Sequence, residues 1–268
     1  AEKRKMNFSS TSSGYFIPWR TVFKESSLST PCRMVFDAGS KTPGGESLNN
    51  LLAKGQNRLT KILDILIRFR SGKEGVITDV KMAYNGIRLI PEHYKYQMFL
   101  WKPDLNCEAE TVTYVIRTLI YGVKSSGGQT LAGFQLLADH AMQHHPELTA
   151  GAKVLKEDAY VDDIITAAPT KEQCQIIASG LDDILGLAGM GVKEYTYSGS
   201  PPGEKVSADG VHVGLVGYLW DPVQDVIKLD IKNLYFGKPK RGKLPDKVEG
   251  NVHEALKSTF TRRTLVGK

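Results

Sequence analysis

Two adjacent carboxylates, Asp162 and Asp163, sit in AYVDDIITAAP, a stretch whose other residues are mostly strand formers. Their like charges repel, and a third carboxylate, Asp79, lies in another β-like segment, GVITDVKMAY. If the fold brings the three together, the concentrated negative charge is costly unless a cation sits among them. Oxygen donors of this kind suit hard divalent ions, Mg²⁺ and Mn²⁺ alike. Two such ions about 3.5–4 Å apart can activate a hydroxyl and stabilise the leaving oxygen of an in-line phosphoryl displacement. Nucleotidyl transfer is the natural reaction.

The elements that must position these groups are legible as mixed α and β structure. YFIPWRTVFKESSLSTPCRMVFDAG reads as two short strands, around Val22–Phe23 and Met34–Phe36, joined by a Ser/Thr loop. KTPGGES is a turn. Leu59, Ile62, Leu63, Leu66, Ile67 and Phe69 recur at helical spacing and predict a helix over Gln56 to Arg70. GVITDVKMAYNGIRLI has β character. Leu131, Phe134, Leu137, Ala138 and Ala141 form one face of a second helix that Pro146 closes.

AKVLKEDAY reads as a strand leading into the acidic pair, which places Asp162 and Asp163 near the tip of a hairpin. Thr170 and Gln173 have capping-box spacing and open a third helix on Ile176, Ile177, Leu181, Ile184 and Leu185. VGLVGYLWDPVQDVIKLD reads as strands joined by a turn at Asp221 and Pro222. This order lacks regular βαβ alternation, so the fold class expected is α+β, with helices packed on an antiparallel sheet.

Composition bounds the function classes. The chain has 268 residues, 41% of them hydrophobic, which supports real cores and argues against disorder. No apolar run is long enough to span a bilayer, and AEKRKMNFSS lacks the apolar stretch of a signal peptide, so a soluble intracellular protein is expected. Cys32, Cys107 and Cys174 are widely spaced and odd in number, the pattern of reduced thiols. His140 and His144 stand four apart on a predicted helix, but no metalloprotease glutamate or cysteine pair accompanies them, and a helix surface accounts for them. The net charge of +6 is unevenly spread, at +4 over residues 1–35, −5 over the middle and +7 over residues 228–268. A polyanion held between basic ends around an acidic centre fits this distribution, as does a solvated surface.

Tyr160-Val161-Asp162-Asp163 is similar to the Tyr-x-Asp-Asp box of reverse transcriptases, and Asp79-Val80-Lys81-Met82-Ala83-Tyr84 resembles their upstream aspartate segment. Both occur in the expected order. RMVFDAGSKTPGGESLNNLL, ILIRFRSGKEGVITDVKMAY and YKYQMFLW resemble, more narrowly, the polymerase of the BEL/Pao class of long-terminal-repeat retrotransposons. The likeness runs over nearly the whole chain.

The resemblance implies a right-hand polymerase without its thumb. Residues 1–45 and 89–121 would be fingers, 46–88 and 122–222 palm, and 223–268 a connection towards the thumb. Asp79, Asp162 and Asp163, with the Val80 carbonyl, would hold two Mg²⁺ ions. Tyr84 would be the steric gate against a 2′-hydroxyl, and Ala83 would line the nucleotide site with it. Arg33, Lys24 and Gly122 would contact the incoming nucleotide, with Gly127-Gly128 departing from the proline that relatives often carry near there. Val216, Gly217 and Tyr218 would grip the primer, and Lys193 is a candidate proton donor to departing pyrophosphate.

The implied activity is RNA- and DNA-templated DNA synthesis from a primer and deoxynucleoside triphosphates, in cytoplasmic virus-like particles, without a membrane partner. The chain reads as a piece of a longer polyprotein whose protease, RNase H and integrase would lie outside it. The alternative is a catalytically inactive, retroelement-derived nucleic-acid-binding protein. A third reading, another palm-type nucleotidyltransferase, implies synthesis without a template.

Overall fold

A computed structural model describes residues 14–23, 32–102, 110–203, 206–207 and 209–229. Lys24, Cys107 and nearly all of the 223–268 connection lie outside these residues. The described chain mixes antiparallel sheets with several helices, in agreement with the expected α+β class.

Strands β1 (Trp19–Phe23) and β2 (Cys32–Phe36) pair antiparallel as a largely exposed ribbon. Helix α1 (Leu48–Leu51) follows, capped by Ser47, whose side chain accepts from the Asn50 amide. Helix α2 (Ile62–Ser71) leads into β3 (Glu74–Asp79). A 3₁₀ turn at Pro91–Tyr96 precedes β4 (Met98–Trp101) and β5 (Val112–Val115), which pair with each other. Then come α3 (Ser126–His144), α4 (Thr149–Glu157), β6 (Ala159–Tyr160), β7 (Asp163–Ala168) and α5 (Lys171–Leu187). The short β8 (Thr196–Tyr197) and the meander β9 (Val213–Leu215), β10 (Tyr218–Asp221) and β11 (Val226–Leu229) complete the order.

The sheet that carries the acidic residues is antiparallel in the order β6-β7-β3-β8. Alternation along each strand sends its residues to two faces. Val80 and Ile164 pack on α3, α4 and α5 through Leu131, Phe134, Leu155, Leu181 and Ile184. Ile77 and Ile165 point the other way, onto Ile65 and Phe69 of α2 and onto Val213, Leu215 and Trp220 of the meander. Both faces are therefore covered, which explains why β3 and β7 read as nearly continuous apolar runs.

Three expectations need correction. GVITDVKMAYNGIRLI is strand only as far as Asp79, and residues 81–86 form turns instead. AKVLKEDAY is mostly helix: Gly151, Ala152, Val154 and Leu155 are buried at helical spacing, while Lys153 and Lys156 face solvent. Ala, Lys, Leu and Glu are good helix formers, and only Ala159 and Tyr160 remain as strand. The helix expected from Gln56 begins at Ile62, and its stripe is only partly the buried one. Leu59, Leu63 and Ile67 are exposed, while Ile65 and Phe69 enter the core. The other long helices stand as read except at Ile176, which is exposed while Leu181, Ile184 and Leu185 are buried, and the Thr170 hydroxyl caps the last of them by accepting from the Gln173 amide at 3.3 Å. Among the described residues no helix is long and apolar enough to cross a membrane.

Candidate functional site

The register of β3 against β7 sets Asp79 directly opposite Asp163. Opposed residues of an antiparallel pair project from the same face, here the face shared with Ile77 and Ile165. One residue on, the Val80 amide donates to the Asp162 carbonyl at 2.8 Å. Asp162 occupies the second corner of a two-residue turn, because Tyr160 pairs with Asp163 across Val161 and Asp162. Val161 takes the first corner with φ +59°. A β-branched residue in the left-handed region is strained, and its neighbours must hold it there.

That strain has company. Among the described residues four non-glycines have positive φ, namely Met82, Val161, Val216 and Asp225. Met82 lies between Asp79 and Tyr84, and Val216 begins the Val216-Gly217 turn that joins β9 to β10. Three of the four thus fall in the three segments singled out from sequence, and backbone strain clusters at functional sites. The Val216-Gly217 turn also reaches the acidic residues. Asp79 and Asp163 line an open cleft of about 350 Å³ whose other wall is Gly214, Leu215, Val216 and Gly217.

The carboxylates are not bare. Lys193 places Nζ 2.7 Å from Asp79 Oδ2, and its amide donates to the Asp79 carbonyl at 2.9 Å. Asp79 is buried, so a cation at this distance offsets much of its desolvation. Asp162 accepts a long hydrogen bond, 3.4 Å, from the Tyr121 hydroxyl. Tyr121 meets Tyr84 edge-on with ring centroids 4.2 Å apart. Partial burial, and then the Asp162 charge, push both phenols above their ordinary pKa, Tyr121 the further. Both tyrosines therefore stay neutral at physiological pH.

Gly122 follows with φ +93° and its carbonyl held by Asn49 Nδ2 at 2.8 Å. A Cβ there would lie 2.5 Å from the Phe36 carbonyl oxygen, so only glycine lets the end of β2 approach this loop. Asn49 also accepts from the Lys124 amide at 2.7 Å. Comparison with protein-family models and with curated proteins finds no match.

The structure brings Asp79, Val80, Asp162, Asp163, Lys193, Val216 and Gly217 together, with Tyr84 linked through Tyr121. Tyr218 opens β10, half-buried against the core beneath the cleft. Arg33 stands on the exposed face of the β1–β2 ribbon opposite Val22. Ala83 is fully buried among the helices, so its side chain packs in the core. His140 and His144 lie side by side on the exposed side of α3, their rings tilted to each other, as a helix surface allows.

Sequence reasoning underrated Tyr121 and missed Asn49. Tyr121 adjoins Gly122, a signal that could have been used, whereas the contact from Asn49 to Gly122 spans 73 positions and leaves no local trace. Three carboxylates and a carbonyl are the donor chemistry of a hard cation. Their gathering is incomplete, since among the described residues no three His, Cys, Asp or Glu side chains sit together at metal-ligand range.

Proposed function

We propose that this chain is the fingers-and-palm part of a reverse transcriptase of the BEL/Pao retrotransposon class, an RNA- and DNA-templated DNA polymerase. The observation that supports the reading most is the convergence of separately recognised segments on one cleft. Asp79 faces Asp163 across two strands, Asp162 caps the strained turn beside them, and the Val216-Gly217 turn forms the opposite wall.

In this reading Asp79, Asp162 and Asp163, with the Val80 carbonyl, hold Mg²⁺ or Mn²⁺. Bound there, the ions supply activation of the primer hydroxyl and charge stabilisation on the leaving pyrophosphate. The Val216-Gly217-Tyr218 turn positions the primer end across the cleft from the carboxylates. Tyr84, braced by Tyr121, stands where a 2′-hydroxyl would have to fit, so the discrimination is steric. Lys193 neutralises Asp79 in the resting chain and moves to the departing pyrophosphate as a proton donor. Arg33 on the ribbon, Lys24 and the Gly122 backbone contact the triphosphate. The other domains of the parent polyprotein and its virus-like particle belong to the same proposal.

A second reading, an inactive nucleic-acid-binding remnant, draws support from the incomplete gathering of ligands and from the lysine seated on Asp79. Extension of a DNA primer on an RNA template, with Mg²⁺ and four deoxynucleotides, separates the two. Template-dependent extension is expected, and Asp162→Asn should reduce it by at least about a hundredfold. If this chain and a longer one running through the thumb both bind primer-template yet add no nucleotide, the remnant reading replaces the polymerase.

A further inference from the structure

Segment 191–193 is laid along the strand that carries Asp79. Val192 bridges Val80 in the antiparallel sense, the Lys81 amide donates to the Gly191 carbonyl at 2.7 Å, and the Lys193 amide donates to the Asp79 carbonyl at 2.9 Å. Just beyond, the Thr78 hydroxyl donates to the Glu194 carbonyl at 2.8 Å. The Lys193 backbone is thereby fixed beside Asp79, and Nζ leaves the carboxylate by rotation of its own side chain.

The two ends of this ion pair differ in freedom. The Asp79 side chain is 11% exposed and that of Lys193 is 47% exposed. The carboxylate is held, while the ammonium sits on a flexible stem that already meets solvent. Asp79 and Asp163 line the open cleft of about 350 Å³, which has room for a divalent cation that keeps several of its waters. An ammonium is a single charge, and its seat is on one carboxylate. That seat accounts for a donor set that, among the described residues, is not drawn together as a divalent ion would draw it.

We infer that the Lys193 ammonium is the built-in cation of the resting site, competing with a divalent metal for Asp79, so that metal binding requires the lysine to swing away. The lysine thus sets the metal affinity of the site. With Asp79 buried, either cation offsets its desolvation, and the exchange trades one compensation for the other. The inference rests on the reading of Asp79, Asp162 and Asp163 as metal ligands, but not on polymerase activity.

Mn²⁺ is the probe, with free ion counted by electron paramagnetic resonance during titration of the whole chain. Lys193→Met should bind Mn²⁺ about tenfold more tightly than the native chain. Lys81→Met, which removes an exposed charge nearby, should stay within about twofold of native. Without metal, Lys193→Met should have a lower urea midpoint than native, and saturating Mn²⁺ should close or reverse that gap. In the native chain, which needs no variant to fold, Mg²⁺ should saturably shift the Lys193 Cε resonance and leave that of Lys81 in place. Lys193→Met binding no more tightly than native or than Lys81→Met overturns the inference, as does an unmoved Lys193 resonance at saturation. Asp79→Asn separates the two levels. If it leaves Mn²⁺ binding unchanged, or if neither the native chain nor Lys193→Met binds Mn²⁺, the ligand reading fails and takes the inference with it. If it abolishes binding while Lys193→Met matches native, the ligand reading stands and the competition alone is refuted.

Discussion

Val161, Gly122 and Tyr121 hold the site in shape by different means. Val161 adopts φ +59° without a glycine's freedom, whereas Gly122 uses that freedom at φ +93° with a carbonyl oxygen where a Cβ would go. Gly122→Ala is therefore expected to destabilise the chain by about 1–3 kcal/mol, read as a lower urea midpoint. The phenol of Tyr121 makes the charge of Asp162 measurable. Its pKa is raised first by burial and then by that carboxylate, so its ionisation should fall outside the ordinary tyrosine range in a 295 nm titration. Asp162→Asn should bring it only part of the way back, because burial is the larger cause. A full return would mean that the carboxylate dominates. A raised pKa in the folded state also means that this group's stability contribution is intact below about pH 10 and is lost as pH rises through the folded value.

At the scale of elements, the acidic hairpin is anchored from behind. Arg68 on α2 reaches Asp158, just before β6, with Nε 2.5 Å from Oδ1, and its Nη2 donates to the Glu157 carbonyl. Asp158 is buried, and burial raises its pKa against the opposing hydrogen bonds from Thr166 and Arg68. The folded chain therefore binds this proton more tightly than the unfolded chain. Between the unfolded pKa and the raised folded value, this carboxyl's contribution grows as pH falls and shrinks as pH rises. The stability difference between the native chain and Asp158→Asn should accordingly shift in the native chain's favour on acidification, measured by urea denaturation across that window. Arg68→Met, which leaves the carboxylate buried without its cation, should cost about 1–3 kcal/mol at neutral pH. A matching anchor lies across α2, where Arg70 meets Asp225 at 2.7 Å and Asp225 accepts from Trp220 Nε1. This links the cleft's meander wall to the helix beneath the sheet.

For the molecule as a whole, the charge distribution is the feature that matters. The acidic middle of the chain carries the cleft, and the two ends carry the positive excess. If the ends hold a nucleic-acid backbone, affinity for primer-template should fall linearly with the logarithm of salt concentration, with a slope of about −0.9 for each phosphate neutralised on duplex DNA. Fluorescence anisotropy over a range of salt concentrations measures that slope. A flat response would mean that the basic ends take no part in binding.

Much was legible in the residues. The mixed class, the Thr170 cap, the α3 face, the α5 face apart from Ile176 and the place of Asp162 and Asp163 at a hairpin tip all follow from local signals, because period and turn chemistry act over a few residues. The failures were local conflicts settled by packing. AKVLKEDAY satisfies helix and strand templates alike, and burial against α3 and α5 decided for helix. The stripe on α2 was real in sequence but lies partly in solvent, because β9 and β10 cover only the side that carries Ile65 and Phe69. The sequence alone determined which carboxylates could do chemistry. Only the tertiary structure decided that Asp79 faces Asp163, that Lys193 neutralises Asp79 and that the Val216-Gly217 turn closes the cleft, since these contacts join residues 53 to 138 positions apart through strand register and layer packing.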